Sequence, residues 1–168
     1  FDAELPFAED SDFTLRYMKH ITSICWKPEM VYHYTLNPKS VMHVQTGLKA
    51  EKYICAMEKT AEAIQDENEI IKKAYDKYVM MHFNIMMVRE VFQQRTYSFR
   101  AKCKKMKSVA KTAIFKNAID AIRVKECKSA RMLPVLLMKM KLNCFAGIIY
   151  MLRVKQNEVH EKRGINSI

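Results

Sequence analysis

Few side chains in this sequence are spaced for bond-making chemistry. His20, Cys25 and His33 are of metal-ligating types, yet their intervals fit no standard site. Glu58 and Glu62 stand one helical turn apart and could share an acid–base step. On an amphipathic helix, solvent-facing charges are the better expectation for this pair. His82 falls on an apolar stripe, where a hydrogen-bonded core histidine is the better expectation than a general base. No G-x-S-x-G, H-E-x-x-H, P-loop or G-x-G-x-x-G string occurs. No Glu precedes a His by three residues, as a carboxylate-bridged di-metal bundle requires. These patterns point away from an enzyme, and no cofactor or catalytic residue is expected.

The stronger signal is charge. Residues 1–94 carry 11 basic and 14 acidic side chains, whereas residues 95–168 carry 18 basic and only 4 acidic ones. Arg100, Lys104, Lys107 and Lys111 recur at intervals of four, three and four, which stacks them on one helix face. Together with Arg95 they form a candidate basic binding track for an anionic surface. Nucleic acid would answer to the same charge. However, no helix-turn-helix, zinc module or RNP string accompanies it.

Thirteen methionines form the second unusual feature. Met is flexible and polarisable, and serves both as core filler and as adaptable contact surface. Adjacent pairs such as Met80-Met81 and Met86-Met87 point in different directions on a helix. Some are therefore expected to be exposed, and Met80, Met86, Met87 and Met138 are the candidate apolar contact surface. The five cysteines, Cys25, Cys55, Cys103, Cys127 and Cys144, are scattered without a C-x-x-C pair, so disulfide pairing among them stays open.

The elements that must position these groups are helices. Asn37-Pro38 suits a helix start, with a buried face at Tyr53, Met57, Ala61 and Ile64. Asp66 or Asn68 caps a second helix carrying Ile71, Ala74, Tyr75, Tyr78, Met81, His82, Ile85 and Phe92 at intervals of three or four. Ser98 opens a third, long helix with an apolar stripe of Phe99, Cys103, Met106, Ala110 and Ala113, continued by Ile119 and Ile122. Pro134 breaks it, and a last helix from about Val135 to Val154 is apolar nearly all round.

This pattern predicts an all-α fold with three segments. Residues 1–36 form an acidic, irregular extension whose first twelve residues are solvated, 37–156 a helical bundle, and 157–168 a polar tail. At 49% hydrophobic and 28% charged, the composition excludes a disordered or collagen-like chain. The longest uncharged run in the apolar C-terminal region, Leu142–Leu152, is too short to span a bilayer. The start at Phe1, with no signal-type apolar segment behind it, leads us to expect a processed chain.

Several short strings then occur in order: His33-Tyr34 with Pro38-Lys39, Tyr78 with His82-Phe83, Ile119-Asp120, and Met132-Leu133-Pro134. With the helical pattern, the basic charge and the methionine content, they resemble the abalone sperm lysin family over roughly residues 33–140. The resemblance implies a compact bundle of about five helices, storage in the sperm acrosomal vesicle, secretion, and non-enzymatic action in fertilization. One branch of that family opens the egg vitelline envelope by stoichiometric binding to an envelope glycoprotein. The other, the eighteen-kilodalton acrosomal branch, is associated with sperm–egg membrane fusion.

The single tryptophan, Trp26, the five cysteines and the acidic extension depart from the envelope-opening pattern and favour the fusion branch. On this resemblance Arg95, Arg100, Lys104, Lys107 and Lys111 stand nearest to a basic track. The implied partner is an egg-surface membrane or an envelope glycoprotein with an anionic surface. Homodimer formation is a further association to be expected, and a small-molecule substrate is not.

Overall fold

The computed structural model describes residues 5, 8–30 and 49–162. Among them the chain is all-α, with seven α-helices, one π-helical segment, two 3-10 turns and no strand. It divides into two units, Phe1–Ala56 and Met57–Ile168. The proposed helix start at Asn37-Pro38 lies outside the described residues, as does His33.

In the first unit, α1 spans Glu9–Met18. Glu9, Asp10 and Asp12 occupy its first turn, where the positive end of the helix dipole favours them. One turn on, Arg16 Nε meets the buried Asp12 carboxylate at 2.9 Å. The acidic extension is therefore helical from Glu9 instead of irregular, because its carboxylates sit where a helix start rewards them. From residue 19 to 30 there is no regular secondary structure, and Ile24, Trp26 and Met30 are exposed. α2, Lys49–Ala63, belongs to both units, with Tyr53, Met57 and Ile64 buried at the expected spacing.

The second unit is a helical bundle. α3 spans Glu69–Met86 and starts at Asn68, whose Oδ1 accepts hydrogen bonds from the amides of Ile70 (2.9 Å) and Ile71 (3.2 Å). The helix then widens into a π-helical segment, Met87–Phe92, closed by the Gln93 amide on the Val88 carbonyl. The end of that segment leaves carbonyls without helical partners. Lys102, buried on the next helix, reaches back and donates to the Phe92 carbonyl at 2.7 Å.

The long helix expected from Ser98 onward is two helices. α4 spans Phe99–Ala110, with the Ser98 hydroxyl accepting from the Ala101 amide, and α5 spans Ala113–Ala121. The cause is phase. At about 100° per residue, Ile119 lies roughly 220° around a continuous helix from Met106. Both are buried, so a break at Lys111–Thr112 must re-aim the second half. It turns Phe115 onto Phe83 of α3, edge to face at 5.1 Å.

The last expected helix is also divided. α6, Leu133–Lys139, holds Pro134 in its first turn, and α7 spans Asn143–Lys162. The helix thus runs six residues past the expected domain end at 156. Between them Lys141 takes a left-handed conformation (φ 63°). The Lys141 amide donates to the Met138 carbonyl and the Leu142 amide to the Leu137 carbonyl, a Schellman closure made without glycine. At the end of α5, Lys139 Nζ donates to the carbonyls of Ile119, Asp120 and Ile122 at 2.7–2.9 Å. One lysine thereby satisfies the exposed end of a neighbouring helix.

α3 packs on α5, α7 packs on α6 and on the π-helical segment, and α4 packs on α7 and on that same segment. The interior joins Phe83, Phe92, Phe115 and Tyr150 to Met57, Met80, Met86, Met87 and Met106, all fully buried. Phe92 and Tyr150 lie with ring centroids 5.2 Å apart. One polar chain crosses this core. The Tyr150 hydroxyl donates to Asn84 Oδ1, and Asn84 Nδ2 donates to the Arg131 carbonyl at 3.0 Å. Burial pushes the Tyr150 hydroxyl far above its ordinary range, so it stays a donor at any physiological pH.

Candidate functional site

Four methionines expected at the surface belong to the core. Met80, Met86 and Met87 are fully buried and Met138 nearly so. The argument that adjacent methionines point apart is sound, but α3 and its π-helical extension are covered from several directions by α5, α7 and α4. Both members of the Met86-Met87 pair therefore find neighbours. On the α3 stripe the exposed side carries Ile71, Ala74 and Met81, which had been placed inward. Val79, Met80, Phe83 and Met86 face in, together with His82.

His82 lies against the Tyr78 ring, with its Nδ1 3.1 Å from the Tyr78 carbonyl. Glu58 and Glu62 both face solvent. Among the described residues no group of three or more His, Cys, Asp or Glu side chains is gathered to hold a metal. No described helix is long and apolar enough to cross a membrane.

An exposed apolar stripe lies instead on α7. Phe145, Ile148 and Leu152 are 58%, 46% and 56% exposed, at intervals of three and four that align them on one face. Such a stripe was readable in the near-continuous apolar character of this helix. A bundle helix buries one face, and here Ala146, Tyr150 and Val154 already occupy it. Phe99, 40% exposed at the start of α4, joins Ile148, Met151, Leu152 and Lys155 around an open groove of about 290 Å³.

The basic stripe borders this groove. Gly147 fixes the approach of the two helices, since a Cβ there would stand 2.7 Å from Cys103 Sγ and 3.2 Å from the Phe99 ring. Phe99 and Cys103 therefore mark the edge of α4 that meets α7, while Lys102 and Met106 point inward. Arg100, Lys104 and Lys107 follow Phe99, Cys103 and Met106 by one residue each, about 100° around the helix. That rotation carries them to the solvent side of the seam, where all three are exposed. Lys111 is the exposed C-cap of α4.

Arg95 differs from the others. It lies before α4, and its guanidinium is 3.6 Å from the Glu158 carboxylate of α7, so part of its charge is already answered. Nearby, Lys105 Nζ stands 5.5 Å over the exposed Tyr97 ring. The site is thus an amphipathic seam, with cations on the α4 bank and apolar side chains on the α7 bank. Such a surface can attract an anionic partner and bury apolar area against it.

The five cysteines carry free thiols, with Cys103 and Cys127 buried and Cys25 and Cys144 exposed. Burial raises the Cys103 and Cys127 thiols above their ordinary range. Comparison of the chain with family models, curated proteins and solved structures gives no match.

Proposed function

We propose that this chain is a secreted, non-enzymatic fertilization protein of the sperm acrosome, related to the abalone lysin family. On this reading it acts at the egg plasma membrane, in sperm–egg fusion. The observation that carries it is the seam itself. Arg100, Lys104, Lys107 and Lys155 border an exposed apolar stripe of Phe99, Phe145, Ile148 and Leu152.

Each Lys or Arg near an anionic leaflet contributes about 1 kcal/mol of attraction. Burying one exposed Leu or Ile at the lipid interface adds about 1.5–3 kcal/mol. Neither part alone gives firm attachment, and their adjacency lets one orientation use both. Lipid packing disturbed by the inserted apolar side chains is the contribution to fusion.

The test is cosedimentation and lipid mixing with phosphatidylserine–phosphatidylcholine vesicles. Binding is expected at low salt, weakening as salt rises and absent on pure phosphatidylcholine. Leu152→Glu or Ile148→Glu is expected to lower binding about 10-fold or more. Lack of binding to anionic vesicles at low salt overturns the reading. Dissolution of isolated egg envelopes at stoichiometric protein, without peptide cleavage, would move the function to the envelope-opening branch.

A further inference from the structure

We propose that Cys103 and Cys144 form an intramolecular disulfide that clasps α4 to α7. Three placements lead to it. Cys103 Sγ lies directly against the α7 backbone, 2.7 Å from where a Cβ of Gly147 would stand. Cys144 precedes Gly147 by three residues on the same helix, one turn toward its N-terminus, and side chains so spaced begin about 5–6 Å apart. Met151, four residues past Gly147, has its sulfur 3.9 Å from Lys102 Nζ of α4. The row Cys144, Gly147, Met151 is therefore the edge of α7 that faces α4.

The glycine is what makes the arrangement possible, because any side chain at 147 would fill the space that the Cys103 sulfur occupies. Bond formation requires the two side chains to rotate toward each other over this gap, with Cα atoms about 4.4–6.8 Å apart. The Cys103 thiol is pushed up first by burial and then by the nearby Cys144 sulfur. Cys127 is turned away into its own 3-10 turn, where its thiol donates to the Arg123 carbonyl at 3.8 Å.

The oxidant is a small-molecule disulfide such as oxidised glutathione. The exposed Cys144, as thiolate, attacks one glutathione sulfur and forms a mixed disulfide, releasing one glutathione thiol. The Cys103 thiolate then attacks the Cys144 sulfur and expels the second. Two protein thiols are oxidised, one glutathione disulfide is reduced, and the two protons end on the two glutathione thiols. The link closes a loop containing α5, both 3-10 turns and α6, so its removal frees a long segment of the unfolded chain.

The experiment is non-reducing digestion and mass spectrometry of the full chain after equilibration with oxidised glutathione, with Tm read in parallel. The expected result is a linked peptide pair containing Cys103 and Cys144, and a Tm about 10 °C above that of the reduced protein. Cys144→Ser alters an exposed side chain, and with it both the link and the Tm gain are expected to vanish. Glutathione retained on Cys144 while Cys103 remains alkylatable after denaturation overturns the proposal. So does a Cys144–Cys144 link between two copies. Neither outcome bears on vesicle binding, which is measured on the reduced protein.

Discussion

Two stretches of this chain are comparably apolar and have opposite fates. The segment from Val79 to Phe92 is closed in by three other helices, so Met80, Met86 and Met87 are all buried and of its methionines Met81 alone meets solvent. The stretch from Phe145 to Leu152 lies on a helix covered on one side only, and half of its large side chains meet solvent. The exposed stretch is the one without a charged residue, whereas the covered one contains Arg89 and Glu90. Both are packed by several elements, and what differs is the arc of the helix that those neighbours cover, which makes apolar content a poor guide to whether a helix is core or contact surface. The difference also separates roles, since the first stretch holds the bundle together and the second is available to a partner.

The largest effect expected from breaking this contrast is at the covered stretch. Met87→Ala should cost about 2–5 kcal/mol of stability, from lost burial and the cavity left behind. Leu152→Ser at the open stretch should shift stability by no more than about 0.5 kcal/mol, while weakening vesicle binding. Chemical denaturation of both variants reads this directly, and equal losses would break the distinction.

A second change loosens the cover instead of the covered. Lys139→Ala strips three carbonyls at the end of α5 of their donor. A loss of about 2–3 kcal/mol is expected, with amide exchange rising first in α5. The third goes the other way. Lys141 holds a left-handed conformation that suits glycine, so Lys141→Gly should stabilise by about 0.5–1 kcal/mol without altering the α7 stripe.

The smallest effect concerns pH. A side-chain hydrogen bond from Arg123, joined by the Arg123 amide at 2.9 Å, holds Glu126 down at about 2. A carboxyl lowered in the folded state contributes fully above its unfolded value, near 4.5, and loses that contribution as pH falls toward 2. Glu126→Gln should therefore flatten the acid limb of a Tm-against-pH curve between those values and leave the neutral region nearly unchanged. An unchanged acid limb would sever the link between this pair and acid stability.

Much of the fold was legible because local rules carried it. Asn68 as a cap, Ser98 as a helix start, Tyr53, Met57 and Ile64 as a buried face, and the exposed α4 stripe all follow from spacing and capping chemistry. Two helix breaks were missed for separate reasons. The break at Lys111–Thr112 is encoded in a phase slip between Met106 and Ile119, which a list of apolar positions hides unless the angle is carried along. The turn at Lys141 has no sequence mark, since its left-handed residue is neither Gly nor Asn.

The candidate site was half legible. Its cations were found from their periodicity alone, because charge seeks solvent whatever the fold. Its apolar half was misplaced onto Met80, Met86, Met87 and Met138, because periodicity gives the direction of a side chain and not the arc of its helix that neighbours cover. The Cys103–Gly147–Cys144 arrangement joins residues more than forty positions apart and became visible only once α4 lay against α7.

Trp26 is the sole tryptophan of the chain, and its indole is 81% exposed in the first unit. Its emission therefore reports a hydrated fluorophore whether or not the Met57–Ile168 unit is folded, so melting of the bundle passes unseen at that wavelength. A water-soluble quencher, by contrast, reaches it freely, and any surface that shelters this one ring on contact announces itself as lost quenching.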